Sequence, residues 1–350
     1  MSGWDDPKWT EIMRHFKMVN GYFGQEKIKA VPIFESCQYY DLEKVVALLK
    51  LQRKIEGTAS EEEIPALVDQ FSSLRASMEP TVPEAEFAKI YLWNNNAPVL
   101  TEYIDNDDFR YNHDPDFRPF LYEFLVPEGQ MPKGAVIICA GGDHGTAAVS
   151  EGYQVCKDFN AMGYHCFHLL NRTNHNPWKL EEAGVDMARA IRYVRGNARK
   201  YGIKENHVIV AGFSNGGLTC EGAIRFYSGE KKVKDIFADY TEDELDQINA
   251  TPDAFLCIYG PRFAGEEIDY TGVVYPPTFF AVGRNDSAME NLNFMYPDLV
   301  RHGVKVEVHT FAGTPHGEAG TQILHNGVHP YPNFQHWETL ADSFIQDVFS

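Results

Sequence analysis

Beyond Gly134 the chain alternates between two patterns. Short apolar runs fall at residues 135–140, 164–170, 207–212, 254–260, 277–283 and 304–311. Stretches with helical periodicity lie between them, at about 151–161, 180–201, 218–226, 288–302 and 333–349. Near-continuous apolar strands alternating with helices predict a mostly parallel sheet whose strands are buried on both faces. Residues 231–253 carry many charges and read as an insertion in that scheme, near 228–253. No repeat and no low-complexity tract interrupts it.

The first 85 or so residues have a different texture. They are low in glycine and helical in pattern. Asp6-Pro7 suits a helix start, and Trp9, Ile12, Met13 and Phe16 follow as an apolar stripe. A second amphipathic helix is predicted from Asp41 to Lys50. A third follows Ser60-Glu61-Glu62-Glu63, a capping-box pattern, and runs to about Met78. Such helices must bury their stripes on the main domain or on a second copy of the chain. A structural brace is the favoured role, and a lid over a site is the other. Residues 99–104 and 120–126 are expected to pair as antiparallel strands across a polar loop at 105–119. The chain thus divides into a helical appendage (1–85) and an α/β domain (86–350).

Composition narrows the function classes. The 350 residues are 44% hydrophobic, which suits a globular protein with a sizeable core. Net charge is −19, so phosphate backbones and anionic membranes are repelled and no nucleic-acid or membrane partner is expected. Met1-Ser2-Gly3-Trp4-Asp5-Asp6-Pro7 has neither a basic region nor an apolar core, so a cytoplasmic location is expected. Cys37, Cys139, Cys156, Cys166, Cys220 and Cys257 are scattered, without C-x-x-C or zinc spacing. They read as reduced, buried thiols that act as small hydrophobes.

The densest chemical signal is Gly212-Phe213-Ser214-Asn215-Gly216. It follows an apolar, β-branched run and precedes a helix-forming stretch. A strand, G-x-S-x-G and a helix make a nucleophile elbow, a sharp turn that lifts the serine hydroxyl above the sheet edge. Side chains two residues before and after the serine would collide with the neighbouring strand and helix, which explains the glycines. Asp286 follows the run at 277–283, and His316 follows the run at 304–311. Serine, acid and histidine therefore occur in the order this chemistry requires, each just past its own strand. Asp286 is expected to orient His316, and His316 to take the Ser214 proton. Asp108, Asp114 and Asp116 precede the serine on another loop and compete poorly. His325 and His329 lie close behind His316 and read as pocket residues or, preferably, as spare surface histidines. Two backbone N–H groups are needed for an oxyanion: one from Asn215, the other from the loop Ala140-Gly141-Gly142-Asp143-His144-Gly145, near Gly142 and Asp143. That loop lacks a phosphate-binding signature.

Several of these motifs together resemble the α/β-hydrolase esterases of the acetyl-xylan and feruloyl esterase-like group. They are the segment 186–195 beginning Asp186-Met187-Ala188, then Tyr201-Gly202-Ile203, and the elbow with Gly217. Ala140-Gly141-Gly142 followed by Ser150-Glu151, His302-Gly303-Val304, Thr314-Pro315-His316-Gly317 and Gln335-His336-Trp337 complete the set. The likeness covers roughly residues 120–350. It implies an α/β-hydrolase fold, a Ser214–His316–Asp286 triad, and a serine carboxylesterase acting through an acyl-enzyme on small acyl esters of oligosaccharides. No cofactor or metal is implied, and the helical appendage is a possible route to a homo-oligomer. Asp143 stands where relatives carry a third glycine, and Asn215 where alanine is commoner. A serine peptidase of the prolyl-oligopeptidase type shares the fold and the residue order, but no propeller domain is apparent upstream. A carbon–carbon bond hydrolase with a helical cap is the other alternative.

Overall fold

A computed structural model describes residues 39–57, 60, 62–81, 89–103, 117–142, 150–172, 175–325 and 327–350. The predicted helix at Asp6–Phe16, most of the loop at 105–119, and Asp143 and His144 lie outside these residues.

Among the described residues, ten strands form two sheets. Strands β1 (Lys89–Tyr91), β3 (Phe120–Phe124), β4 (Ala135–Cys139), β5 (His165–Leu170), β7 (Val208–Phe213), β8 (Phe255–Ile258), β9 (Thr278–Gly283) and β10 (Val306–Phe311) build the large one. Its order is β1-β3-β5-β4-β7-β8-β9-β10. The β1/β3 and β3/β5 pairs are antiparallel, and every pair from β5 to β10 is parallel. Strands β4, β5, β7, β8 and β9 are buried at every residue, as the continuous apolar runs require of a sheet covered on both sides. The edge strand β10 is only partly buried.

The expected pairing of residues 99–104 with 120–126 does not form. Strand β2 (Glu102–Tyr103) instead pairs with β6 (His175–Asn176) in a separate two-stranded ribbon. The local pattern showed extended chain but carried no information on its partner. A buried arginine supplies the physical reason. The Arg172 guanidinium bonds to both Asp186 oxygens and to the Pro98 carbonyl, fastening the segment before β2 against β5 rather than β3.

Among the described residues, the N-terminal appendage comprises helices α1 (Leu42–Gly57) and α2 (Ile64–Ala76). Helix α2 starts later than the capping-box pattern predicted. Glu63 occupies the cap without a side-chain bond, and the proline beside Ile64 opens the first turn, where its missing N–H costs nothing. Val45, Leu48, Leu49, Leu67, Val68 and Phe71 bury one another in a cluster that includes Tyr153.

In the α/β domain, α3 (Val155–Ala161) and α7 (Trp337–Phe349) meet through Phe159 and Trp337, with ring centroids 5.8 Å apart. Helices α4 (Leu180–Gly196) and α5 (Asn215–Tyr227) cross closely at Gly184 and Gly222, where a Cβ on Gly184 would lie 2.6 Å from the Gly222 carbonyl carbon. The charged insertion is tied to α4 by three arginines one turn apart. Arg189 pairs with Asp243, Arg192 with Asp246 at 3.0 Å and Arg195 with Asp253 at 2.9 Å. Val233, Phe237 and Tyr240 of the same insertion are buried.

Candidate active site

Ser214 lies between β7 and α5 with φ 51° and ψ −123°. A non-glycine residue at such angles is strained by about 1–3 kcal/mol and persists only when its surroundings hold it there. Here the Ser214 N–H donates to the Ile258 carbonyl (3.1 Å), and its own carbonyl accepts the Gly217 N–H (2.9 Å). The glycines are sterically required. A Cβ on Gly212 would lie 2.6 Å from the Gly217 Cα, and one on Gly216 would lie 2.7 Å from the Cys139 carbonyl carbon.

The loops after β9 and β10 bring two more side chains to this point. Asp286 sits in the turn before α6 (Ala288–Arg301). Its Oδ1 accepts the Ala288 N–H at 2.8 Å, and its Oδ2 lies 2.9 Å from His316 Nδ1. His316 Nε2 lies 2.9 Å from Ser214 Oγ. An ionised carboxylate can only accept, so Nδ1 carries the ring hydrogen and Nε2 is left to accept the serine proton. The two loops are knitted together: the Asn285 N–H donates to the Thr314 carbonyl at 3.0 Å. The Asp286 side chain is fully buried, whereas that of His316 is 44% exposed and open to a substrate.

Of the expected oxyanion groups, Asn215 begins α5, where first-turn N–H groups have no intrahelical acceptor. Gly142 follows β4 with φ 137°, a backbone state available to glycine. Its neighbour Gly141 is packed onto the serine, since a Cβ there would lie 2.6 Å from Ser214 Cβ. Asp143 lies outside the described residues.

Two residues that sequence patterns did not assign to the site stand beside it. Glu151, in the π-turn Ser150–Gln154, accepts the Gly141 N–H at Oε2 (2.7 Å) and the Tyr259 hydroxyl at Oε1 (2.9 Å). Burial pushes its carboxyl above the ordinary carboxylate range, while those two donors and the nearby His316 pull the other way. Tyr259, itself at φ 39°, places its ring 4.9 Å from that of His316. Its phenol is held far above its usual range by burial and by the Glu151 charge. The only hint in the sequence was the Ser150-Glu151 pair shared with the esterase pattern.

The other candidates lie outside this arrangement. His329 is buried, accepts the Tyr331 N–H at Nδ1 (2.9 Å) and donates from Nε2 to the Glu318 carbonyl (2.8 Å). Burial lowers its pKa, in keeping with a neutral ring. His325 is exposed. Cys139, Cys156, Cys166, Cys220 and Cys257 are buried free thiols, and burial pushes Cys139 up to about 12. Among the described residues, no group of His, Cys, Asp and Glu is arranged to hold a metal, and no helix is long and apolar enough to cross a membrane.

Residues 124–255 match the BD-FAE family. The chain is 23% identical over 190 residues to endo-1,4-beta-xylanase B of Butyrivibrio fibrisolvens, a match that takes in 52% of this chain and only 28% of that protein. Among solved structures, the acetyl ester-xyloside bifunctional hydrolase of Caldicellulosiruptor lactoaceticus superposes with a TM-score of 0.56 at 25% identity, over 74% of this chain and 96% of that one. The propionate-bound thermophilic esterase Est2 of Thermogutta terrifontis gives a TM-score of 0.51 at 19% identity, over 73% of this chain and 96% of that one.

Proposed function

We propose that this chain, which is similar to the α/β-hydrolase esterases of the acetyl-xylan and feruloyl esterase-like group, is a carboxylic-ester hydrolase, that Ser214 is its nucleophile and that short acyl esters of oligosaccharides, acetyl esters foremost, are its substrates. The observation that carries the catalytic part is the continuous relay from Asp286 through His316 to Ser214, with both hydrogen-bond distances at 2.9 Å. The substrate class is supported by the likeness to an acetyl ester-xyloside hydrolase over three quarters of the chain.

Each group follows a single proton through the reaction. Ser214 Oγ attacks the ester carbonyl carbon as its proton passes to His316 Nε2. The imidazolium so formed is stabilised by Asp286, which keeps its charge. The carbonyl oxygen becomes an oxyanion and is met by the N–H groups of Asn215 and Gly142, held in place before the charge develops. Collapse breaks the bond to the alcohol, which leaves with the proton from Nε2. Water then gives its proton to Nε2 and its oxygen to the acyl carbon. A second collapse returns the proton to Ser214 and frees the acid.

The test is Ser214→Ala assayed on an aryl acetate and on acetylated xylo-oligosaccharides. Turnover of both should fall by at least about 10⁴-fold with an unchanged melting temperature. Activity retained on the aryl acetate overturns the assignment of the nucleophile. Full activity of the wild type on aryl acetates, with no acetate released from the sugars, overturns the substrate class alone.

A further inference from the structure

Glu151 is fixed in a way the triad chemistry does not require. Glu151 is 4% exposed, and among the described residues no lysine or arginine is bonded to its carboxyl. Both of its assigned partners are donors, and they belong to two separate walls of the site. On one side, Gly141 N–H donates to Oε2, and Gly141 itself presses on Ser214. On the other side, the Tyr259 hydroxyl donates to Oε1 while its oxygen accepts the Ala319 N–H at 3.0 Å. Ala319 lies three residues past His316, on the same loop. The π-turn that carries Glu151 also touches that loop directly, because a Cβ on Gly320 would come within 2.9 Å of the Ser150 carbonyl carbon.

We infer that Glu151 is a positioning residue for ester hydrolysis: its carboxylate, acting with the Tyr259 hydroxyl, locks the oxyanion loop and the His316 loop into one unit around Ser214. Burial raises the pKa of this carboxyl, and the direction of its hydrogen bonds opposes that shift and favours the charged form. The Tyr259 oxygen already accepts from Ala319, so its proton points to Glu151, and Gly141 has only a proton to offer. Two donors converging on two carboxyl oxygens match an ionised acceptor. A negative group at this place also favours the charged form of His316, the form that appears as the serine attacks. The active-site turn is thus preorganised by a residue that touches neither the substrate nor the reacting atoms.

The inference rests on the esterase assignment, and the test separates the two. Glu151→Gln keeps the shape but turns one acceptor into a donor. Tyr259→Phe keeps the ring and removes only the hydroxyl, and remains informative if Glu151→Gln fails to fold. Each should lower kcat on an aryl acetate by about ten- to a hundredfold with KM within about threefold of wild type. The double variant should be no worse than the poorer single one, since both break the same link. In Glu151→Gln the acid limb of kcat/KM should move to lower pH, because His316 loses a neighbouring negative charge; a change of fold stability alone would leave that limb in place. Single variants within twofold of wild-type kcat, losses confined to KM, or a kcat loss in Glu151→Gln with an unmoved acid limb overturn the inference. If Ser214→Ala is inactive while these results appear, the esterase assignment stands and only the role of Glu151 falls.

Discussion

Replacing Gly216 with alanine puts a methyl group where the end of β4 already stands. The added Cβ would lie 2.7 Å from the Cys139 carbonyl carbon and 2.8 Å from the Ala140 oxygen, both backbone atoms that no rotamer change can move aside. Ordinary contact begins near 3.4 Å, so α5 must draw back from β4 by at least about 0.7 Å. Asn215 rides on that first turn, and its N–H moves with it. Catalytic groups must sit within about 0.5 Å of their productive positions, and a misplacement of about 1 Å costs roughly a hundredfold in rate. Gly216→Ala should therefore lower kcat about a hundredfold, equivalent to about 2.7 kcal/mol of transition-state stabilisation. Overpacking should remove a further 1–3 kcal/mol or so of stability, a fall of several degrees in melting temperature. The assay is kcat on an aryl acetate beside a thermal melt, with Gly57→Ala as the control because a Cβ there meets nothing within 4 Å. If Gly216→Ala keeps kcat within twofold and melts like the wild type, the contact between elbow and β4 does not constrain the site.

Asp286→Asn should keep the fold, because the new side-chain oxygen can still accept the Ala288 N–H. Its amide would present hydrogens to His316 Nδ1, reverse the tautomer and lower kcat by about 10³–10⁴-fold, as measured by steady-state kinetics with a melting curve beside it. Glu338, buried and hydrogen-bonded to Asp158, is pushed up from 4.5 to about 9 by burial and by the Asp158 charge, and burial raises Asp158 as well. A carboxyl with a raised folded-state pKa gains a proton on folding, so its stabilising effect is complete below about pH 4.5 and is lost as the pH rises to about 9, at up to about 1.4 kcal/mol per unit. Glu338→Gln can still donate to Asp158 and should flatten the melting temperature between pH 6 and 9; an unchanged slope would mean that this pair does not hold the proton.

The parallel half of the sheet was legible because both faces of those strands are covered. Strands β4, β5, β7, β8 and β9 then each read as a short apolar run that ends in a loop. The same regularity made Ser214, Asp286 and His316 visible, since each follows its own strand and the strands order the loops. The pairing of β2 was not legible. It is decided by Arg172, Asp186 and the Pro98 carbonyl, groups 74 and 14 residues apart in the chain, and no local pattern records such a contact. The cap of α2 failed for a related reason. Ser60 and Glu63 fit a capping box, yet the proline beside Ile64 sets the first turn without any side-chain bond.

Glu151 shows where pattern reading ends in this molecule. A glutamate within a polar stretch after a glycine loop normally reads as a solvated helix residue, and nothing in its spacing opposes that. Its role comes from burial together with two long-range bonds, one to a loop ten residues earlier and one to a tyrosine 108 residues later. The strain at Ser214 and the positive φ at Tyr259 belong to the same arrangement. Both residues hold unfavourable backbone angles, and the two turns pack against each other: a Cβ on Gly260, next to Tyr259, would lie 2.9 Å from the Cα of Gly217, three residues past Ser214. The helical appendage joins this arrangement through Tyr153, two residues from Glu151, whose ring lies 5.7 Å from that of Phe124 and which is buried with the apolar stripes of α1 and α2. The appendage therefore has a short path to the Gly141 loop. Helix packing bears on the π-turn, the π-turn holds the Glu151 carboxylate, and the carboxylate holds the Gly141 peptide against Ser214.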